Sequence, residues 1–376
     1  MATMTINVKL TDLGVDPDGF TVLENYPNAD FTNTPLASSL MRATSDIVQP
    51  VGLTITGVNE LSTIIRVTST LNGCTNSIDM SIGSSGKFLT AAAGVSKLRV
   101  SNNYGVDWVL PTFPSGLQIV SCDINSSGAI QVAGASTGVF KSTDYGVSWA
   151  LLNGSPTIMN EIAISADGSI IAAGPQSAGL FWISSDSGVN WTSYGTSQST
   201  QNIKMTPDGG TIITNRGSKL YKTTTSGGTI TEIQNSSTIS AISSDGLIIY
   251  SKTETLPTNP LFKSIDGGAT FSEVVNTQNY KSSAYNGMAC SSSGLVIAIA
   301  HQSSVYISED GGTSWVTKTP TSGTSNYHYL SMSSDGLVMS VVNVHSGYTF
   351  VSVDGGDSWS QRDIATTKIQ IATNRL

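Results

Sequence analysis

Two sets of residues in this chain have the types and spacing for chemistry: aspartates that return at a fixed place in one short pattern, and tyrosines and histidines gathered late in the sequence. Two facing carboxylates about 5 to 10 Å apart would hydrolyse a glycosidic bond. The patterned aspartates, Asp144, Asp186, Asp266, Asp310 and Asp354, each follow a Ser by two residues and precede a Gly by two. Equivalent groups on successive turns cannot all belong to one catalytic pair, so they read as hairpin locks whose oxygens accept backbone N–H bonds. Asp167, Asp208, Asp245 and Asp335 stand in D-G turns and carry the same reading. Glu161, Glu254 and Glu273 cannot be paired from sequence. No catalytic residue is therefore expected.

His301 and His345 each follow a strand-like run, and His328 lies within Tyr327-His328-Tyr329. Metal binding or acid–base work is open to imidazoles so placed, with an ordinary hydrogen-bonded histidine as the plainer reading. Tyr280, Tyr285, Tyr327, Tyr329 and Tyr348, together with His328, form the candidate ligand-binding set. Flat rings of this kind stack on sugars while their hydroxyls keep water partners, and packing between elements is the competing reading. Cys74, Cys122 and Cys290 are odd in number and far apart, so neither a disulfide framework nor a zinc site follows. No cofactor and no metal is expected.

The elements that must position these residues come from a repeat. The pattern S-x-D-x-G-x-x-W occurs as Ser142, Asp144, Gly146, Trp149; Ser184, Asp186, Gly188, Trp191; Ser308, Asp310, Gly312, Trp315; and Ser352, Asp354, Gly356, Trp359. Weaker copies are Ser101, Asn103, Gly105, Trp108; Ser264, Asp266, Gly268, Phe271; and Thr223, Thr225, Gly227, Ile230. Their first residues are spaced by 41, 42, 39, 41, 44 and 44. A second turn signal, at Gly86, Gly128, Gly168, Gly209, Gly246, Gly294 and Gly336, keeps the same period. Between the turns lie runs long enough for four short strands per repeat, the length of one propeller blade. The fold class expected is all-β: a seven-bladed β-propeller of four-stranded blades over residues 77–376, preceded by a small β module over residues 1–76. Either Lys368 to Thr373 or Ser77 to Ile82 would complete the first blade as its inner strand.

The repeat resembles the Asp-box, or BNR, repeat of sialidases, sortilin-type receptors, xyloglucanases and photosystem II assembly factors. That resemblance implies a propeller whose boxes join the third and fourth strands, away from the usual ligand face. A sialidase would need three arginines around a substrate carboxylate, and this propeller offers only Arg99, Arg216, Arg362 and Arg375 without that family's sequence context. In the leading module, Ile64-Ile65-Arg66-Val67 followed by Gly73-Cys74-Thr75-Asn76 is similar to small modules at the front of bacteriophage structural and tail-fibre proteins.

Charged residues are 12% of the chain, against about 25% in ordinary globular proteins, and the net charge is -8. An acidic chain repels phosphate backbones, so nucleic acid is not an expected partner, and no run of about 18 apolar residues is present to insert into a membrane. Met1 to Leu10 lacks the basic and apolar regions of a secretory signal, which points to synthesis in a cytoplasm. The function expected is a non-enzymatic structural or adhesion protein of a virion, a bacteriophage tail or capsid appendage. It would bind other virion proteins through residues 1–76 or a propeller face, and host-surface glycan through its loops, within a symmetric assembly. A glycan-cleaving propeller enzyme and an intracellular assembly factor are the alternatives.

Overall fold

The computed structural model of the chain describes residues 54–371 apart from 59–61, 72–73, 84–87, 93, 96–97, 115–116, 158, 176, 226–228, 254–259, 275–286, 302–303, 321–326, 344–347 and 366–367. Two compact units are present, Met1–Ser84 and Ser85–Leu376. The boundary thus follows Ser84, not residue 76. The expected split would have cut a strand, because Cys74–Gly83 pairs along its whole length with Ser62–Leu71. Thr54–Val58 adds a third antiparallel strand to that sheet. Ser77 to Ile82 therefore belongs to the first unit and does not line the ring. Of the small β module expected over residues 1–76, residues 1–53 fall outside the described residues.

The second unit is a β-propeller. Its blades are antiparallel sheets read in chain order from the inner strand outward, and each hairpin step places a turn at one end or the other. The first blade runs from Gln118–Ile124 to Ala150–Leu151, the second from Met159–Ile164 to Thr192–Gln198, and the third from Thr200–Met205 to Thr231–Gln234. The fourth runs from Ile239–Ile242 to Ser272–Glu273, the fifth from Met288–Cys290 to Val316–Lys318, and the sixth from Tyr327–Met332 to Ser360–Ala365. The first blade carries an extra strand, Gly94–Val95, beside its inner one.

Seven four-stranded blades were expected, and among the described residues six are built. The first repeat forms instead a three-stranded sheet in the order Lys368–Ile371, Leu89–Ala92, Leu98–Ser101. Its fourth strand fails for a local reason. Val109 makes one bridge to Val100, and two residues later Pro111, which has no N–H, stops the ladder. Thr112 then donates to the carbonyl of Val147 in the next turn.

Each blade is covered on both faces by its neighbours, which explains the composition of its strands. The second strands Ile171–Pro175 and Met339–Asn343 are buried at every position, whereas the outer strand Thr192–Gln198 is polar and mostly exposed. Ile203 and Met205 of the third blade pack on Ala163, Phe181 and Ile183 of the second, and Leu330 and Phe350 of the sixth pack on Val305 and Ile307 of the fifth. The three-stranded sheet is covered the same way. Leu89 and Ala91 meet Val338, Val342 and Val351 of the sixth blade, and Leu98 meets Ile119 and Cys122 of the first. Fully burying one such aliphatic side chain stabilises the fold by about 1.5–3 kcal/mol, so the blade-to-blade layers carry most of the stability.

Candidate functional site

Strand order gives the ring two ends. The turns from first to second strand and from third to fourth lie at one end, and the loops from second to third and between blades lie at the other.

At the turn end the repeated aspartates are locks. Ser142 Oγ donates to Asp144 Oδ1 (2.7 Å) and accepts the N–H of Gly146 (2.9 Å), while Asp144 Oδ1 accepts the N–H of Ser148 (2.9 Å). Trp149 Nε1 closes the corner on the carbonyl of Gly146 (3.0 Å). The same set recurs around Asp186, Asp310 and Asp354, and Asn103 substitutes for Asp in the copy at Ser101. In the Ser264 copy, Asp266 and Gly268 keep these bonds and Phe271 replaces the indole. The copy at Thr223, Thr225, Gly227 and Ile230 includes Gly227, which lies outside the described residues.

Two features of this end were not foreseen. The residue before the aromatic, Ser148, Asn190, Thr270, Ser314 or Ser358, donates its side chain to the second carboxylate oxygen. Each is a short hydrogen-bonding side chain at a fixed offset, so the signal was available. Also, a Lys standing just before the Ser or Thr of a turn reaches into the next blade: Lys141 Nζ donates to Ser187 O (3.1 Å), Lys222 Nζ to Gly267 O (2.8 Å) and Lys263 Nζ to Gly311 O (2.9 Å). The D-G turns repeat the grammar, with Ser165 Oγ on Asp167 Oδ1 (2.6 Å) and the Ile170 N–H on Ser165 Oγ (2.9 Å). Gly168 there has φ +82°, and a Cβ would lie 2.5 Å from Ile130 Cδ1 of the preceding blade. Both the backbone conformation and the packing require glycine.

Backbone bonds link the turns between first and second strands from blade to blade. Ser126 N–H donates to Ala166 O (3.2 Å), Ala166 to Pro207 O (2.7 Å), Ser244 to Ser292 O (2.8 Å) and Ser292 to Ser334 O (2.8 Å). Between the third and fourth blades the belt is interrupted, because Pro207 has no N–H to offer. A cavity of about 50 Å³ lies beside the interruption, lined by Lys204, Pro207, Ser244 and Ser292. Higher in the same seam Asn202 donates to Ser240 O (2.9 Å), Ser240 Oγ to Asn215 Oδ1 (2.6 Å) and Asn215 Nδ2 to Ser237 Oγ (2.6 Å).

The locks set the electrostatics of the aspartates. The hydroxyl and N–H of Ser148, with the hydroxyl of Ser142, pull the Asp144 carboxyl down to about 2; Thr270 and Ser264 do the same for Asp266, and Ser314 and Ser308 for Asp310. Each is an ionised acceptor at neutral pH, unsuited to giving up a proton. A carboxyl lowered in the folded state stabilises it above the ordinary value near 3.9 and loses that contribution as pH falls toward the folded value. The melting temperature should therefore be flat from about pH 7 to 5 and fall steeply from about pH 4 to 2; an unchanged melting temperature at about pH 2 would mean that the locks contribute nothing. Of the three glutamates left unpaired by their spacing, Glu161 is on the inner strand of the second blade, Glu273 is on the outer strand of the fourth, and Glu254 lies outside the described residues.

At the loop end the candidate tyrosines divide. Tyr280 and Tyr285 lie outside the described residues, as does His345. Tyr327 is fully buried, edge-on to Phe350 with centroids 5.8 Å apart, so its reading as a ligand contact is corrected: it packs in the core between the fifth and sixth blades. His328 is half-buried, and burial lowers its pKa. The ladder shifts between His328 and Ser331, and in that bulge Tyr329 adopts φ 51° and is 42% exposed. A neighbouring glycine makes the bulge possible, since a Cβ on Gly287 would lie 2.0 Å from the backbone N of Leu330. Tyr348 opens a third strand and is 41% exposed.

The second strands of the third, fourth and fifth blades end in Arg216, Lys252 and His301, all buried, and sequence reasoning had singled out only the histidine for this end. Arg216 donates to the carbonyls of Gly179 (2.9 Å) and Thr196 (2.8 Å), tying the third blade to the second. Among the described residues His301 Nε2 has no hydrogen-bond partner, and burial together with nearby Lys252 lowers its pKa to about 4, which keeps it neutral. Among the described residues no group of three or more His, Cys, Asp and Glu could hold a metal ion, and no helix is long and apolar enough to cross a membrane.

No family model matches the chain, and no curated protein matches it in sequence. Solved structures do match in fold. YCF48 bound to a D1 peptide is 14% identical with a TM-score of 0.55, the match covering 73% of this chain and 89% of that one. The Cps50 (Swd1) β-propeller domain of Myceliophteria thermophila is 11% identical with a TM-score of 0.54, covering 71% and 94%. Kuenenia stuttgartiensis hydrazine synthase is 12% identical with a TM-score of 0.51, covering 62% and 76%. At such identities the likeness speaks to architecture alone. What this chain shares with all three is the all-β propeller of four-stranded blades.

Proposed function

We propose that this chain is a non-enzymatic structural and adhesion protein of a virion, a bacteriophage tail or capsid appendage. The observation that supports this reading is the use made of its carboxylates. The described aspartates of the repeat turns accept closed sets of hydrogen bonds and hold the corners, so these carboxylates serve the fold and not an acid–base pair. The low charge and the Ser-, Thr- and Gly-rich composition suit an exposed, assembly-borne ring. In this reading the turns are Asp-boxes, the three-stranded sheet is the seventh blade, closed by Lys368–Ile371, and the unit before Ser85 attaches the ring to other virion proteins. The loop end then meets host-surface glycan through Tyr329 and Tyr348.

Immunogold labelling of lysates from producing cells should place the chain on particles, and the purified chain should bind glycans without releasing reducing ends. Tyr329→Ala with Tyr348→Ala should weaken glycan-array binding at least about tenfold at unchanged melting temperature, because both rings are exposed and stacking on a sugar is lost with them. Polysaccharide turnover by the pure chain, or gold confined to the soluble fraction, would overturn the proposal.

A further inference from the structure

The turn end carries a feature that its locks do not use. The residue after the glycine of the D-x-G turn is Val in three successive repeats, Val106, Val147 and Val189, and all three stand out into solvent at 60%, 64% and 71% exposure. In the last three blades the residue after the glycine of the other turn is Leu: Leu247, Leu295 and Leu337, also exposed. Tight turns ordinarily present polar side chains at such positions, and exposed apolar residues gathered on one end of a molecule mark an interaction surface.

Charge at this end says what kind of partner fits. Val147 and Val189 follow Asp144 and Asp186 in the same turn, and Leu247 and Leu337 follow Asp245 and Asp335. Cations at this end are outnumbered: Lys141, Lys222 and Lys263 donate to carbonyls of the next blade and keep their charge, and Lys318 pairs with Asp357 at 2.7 Å, against the turn carboxylates Asp144, Asp167, Asp186, Asp208, Asp245, Asp266, Asp310, Asp335 and Asp354. The end therefore presents aliphatic studs set among fixed negative charges. A second copy docking through the same end would bring like charges together, and anionic lipid would be repelled for the same reason.

We infer that the turn end of the ring is a docking surface for a protein partner whose contact face is basic and aliphatic. This holds whatever the loop end binds, and so stands or falls separately from the glycan reading.

The probe is a short amphipathic peptide of Leu and Lys, with its Leu and Glu counterpart as control, added to the full chain. The cationic peptide should bind, protect the turns at Val147, Val189, Leu295 and Leu337 from hydrogen exchange, and release as salt rises from about 0.05 to about 0.5 M. The combined variant Val147→Ser, Val189→Ser, Leu295→Ser, Leu337→Ser should weaken binding at least about tenfold with an unchanged melting temperature, since the four side chains are exposed. Tyr329→Ala with Tyr348→Ala should leave it unaltered. Protection elsewhere on the ring, equal binding of the acidic peptide, or affinity unaffected by the four-serine variant would overturn the inference. So would self-association of the unmodified chain that the four-serine variant abolishes, which would make the occupant a second copy.

Discussion

Removing residues 368–371 should unfold the ring outright. Lys368–Ile371 pairs residue for residue with Leu89–Ala92, and without it that strand becomes an open edge at the centre of the propeller. The layers on either side of the three-stranded sheet depend on its position. Leu89, Ala91 and Leu98 are fully buried between the sixth and first blades, and Val338, Val342 and Val351 rest on the first two of them. Exposing even four of these residues costs about 6–12 kcal/mol, comparable with the whole stability of an ordinary domain, about 5–15 kcal/mol. The shortened chain is expected to elute as aggregate and to show no cooperative transition in calorimetry. A soluble monomer melting within about 2 °C of the full chain would show that the layers hold the ring without the ladder.

Trp149→Ala has the next largest expected effect, about 3–5 kcal/mol, which lowers the melting temperature by about 10 °C. The indole is 8% exposed, sits edge-on to Phe113 at 5.8 Å and against Phe140, and its N–H satisfies the carbonyl of Gly146. Truncation therefore removes both a packed ring and a hydrogen bond that closes the corner. The fourth blade supplies an internal comparison, since Phe271 fills the same place with a ring and no donor. Trp149→Phe should accordingly cost about 1 kcal/mol, the share of the lost hydrogen bond. Equal losses for the two substitutions in denaturant melts would mean that the hydrogen bond, and not the packing, carries the corner.

What could be seen in the sequence was what is local. The corner at Ser142, Asp144, Gly146 and Trp149 closes within eight residues, so its pattern and its hairpin follow from the letters, while its place between third and fourth strands was implied by the resemblance to the Asp-box repeat. Tyr327 could not be placed that way. It stands in Tyr327-His328-Tyr329 beside a loop, and its burial is decided by Phe350 on another strand. Ring closure is non-local as well. Lys368–Ile371 and Ser77 to Ile82 look alike as alternating strands, but only the first lies in register with Leu89–Ala92, while the second is held by Ser62–Leu71. The first repeat keeps its corner through Trp108, so the loss of its fourth strand to Pro111 was hidden among residues that look ordinary. Lys141 was hidden for a different reason: its partner, Ser187 O, belongs to the next repeat, and a lysine on a strand reads as solvent-facing.

The missing donor at Pro207 makes the circle unequal around its circumference. Every other described neighbouring pair of first-to-second-strand turns is riveted by main chain, while at that level the joint between the third and fourth blades lacks the main-chain rivet and is held by Lys222, by amide and hydroxyl side chains and by apolar packing. Slow breathing of the wheel should begin there, as a split washer spreads at its cut. It follows that the linker around Asn235 and Ser236 is the natural place to relocate the chain ends in a permuted protein, or to splice in a foreign domain, with least disturbance to the rest.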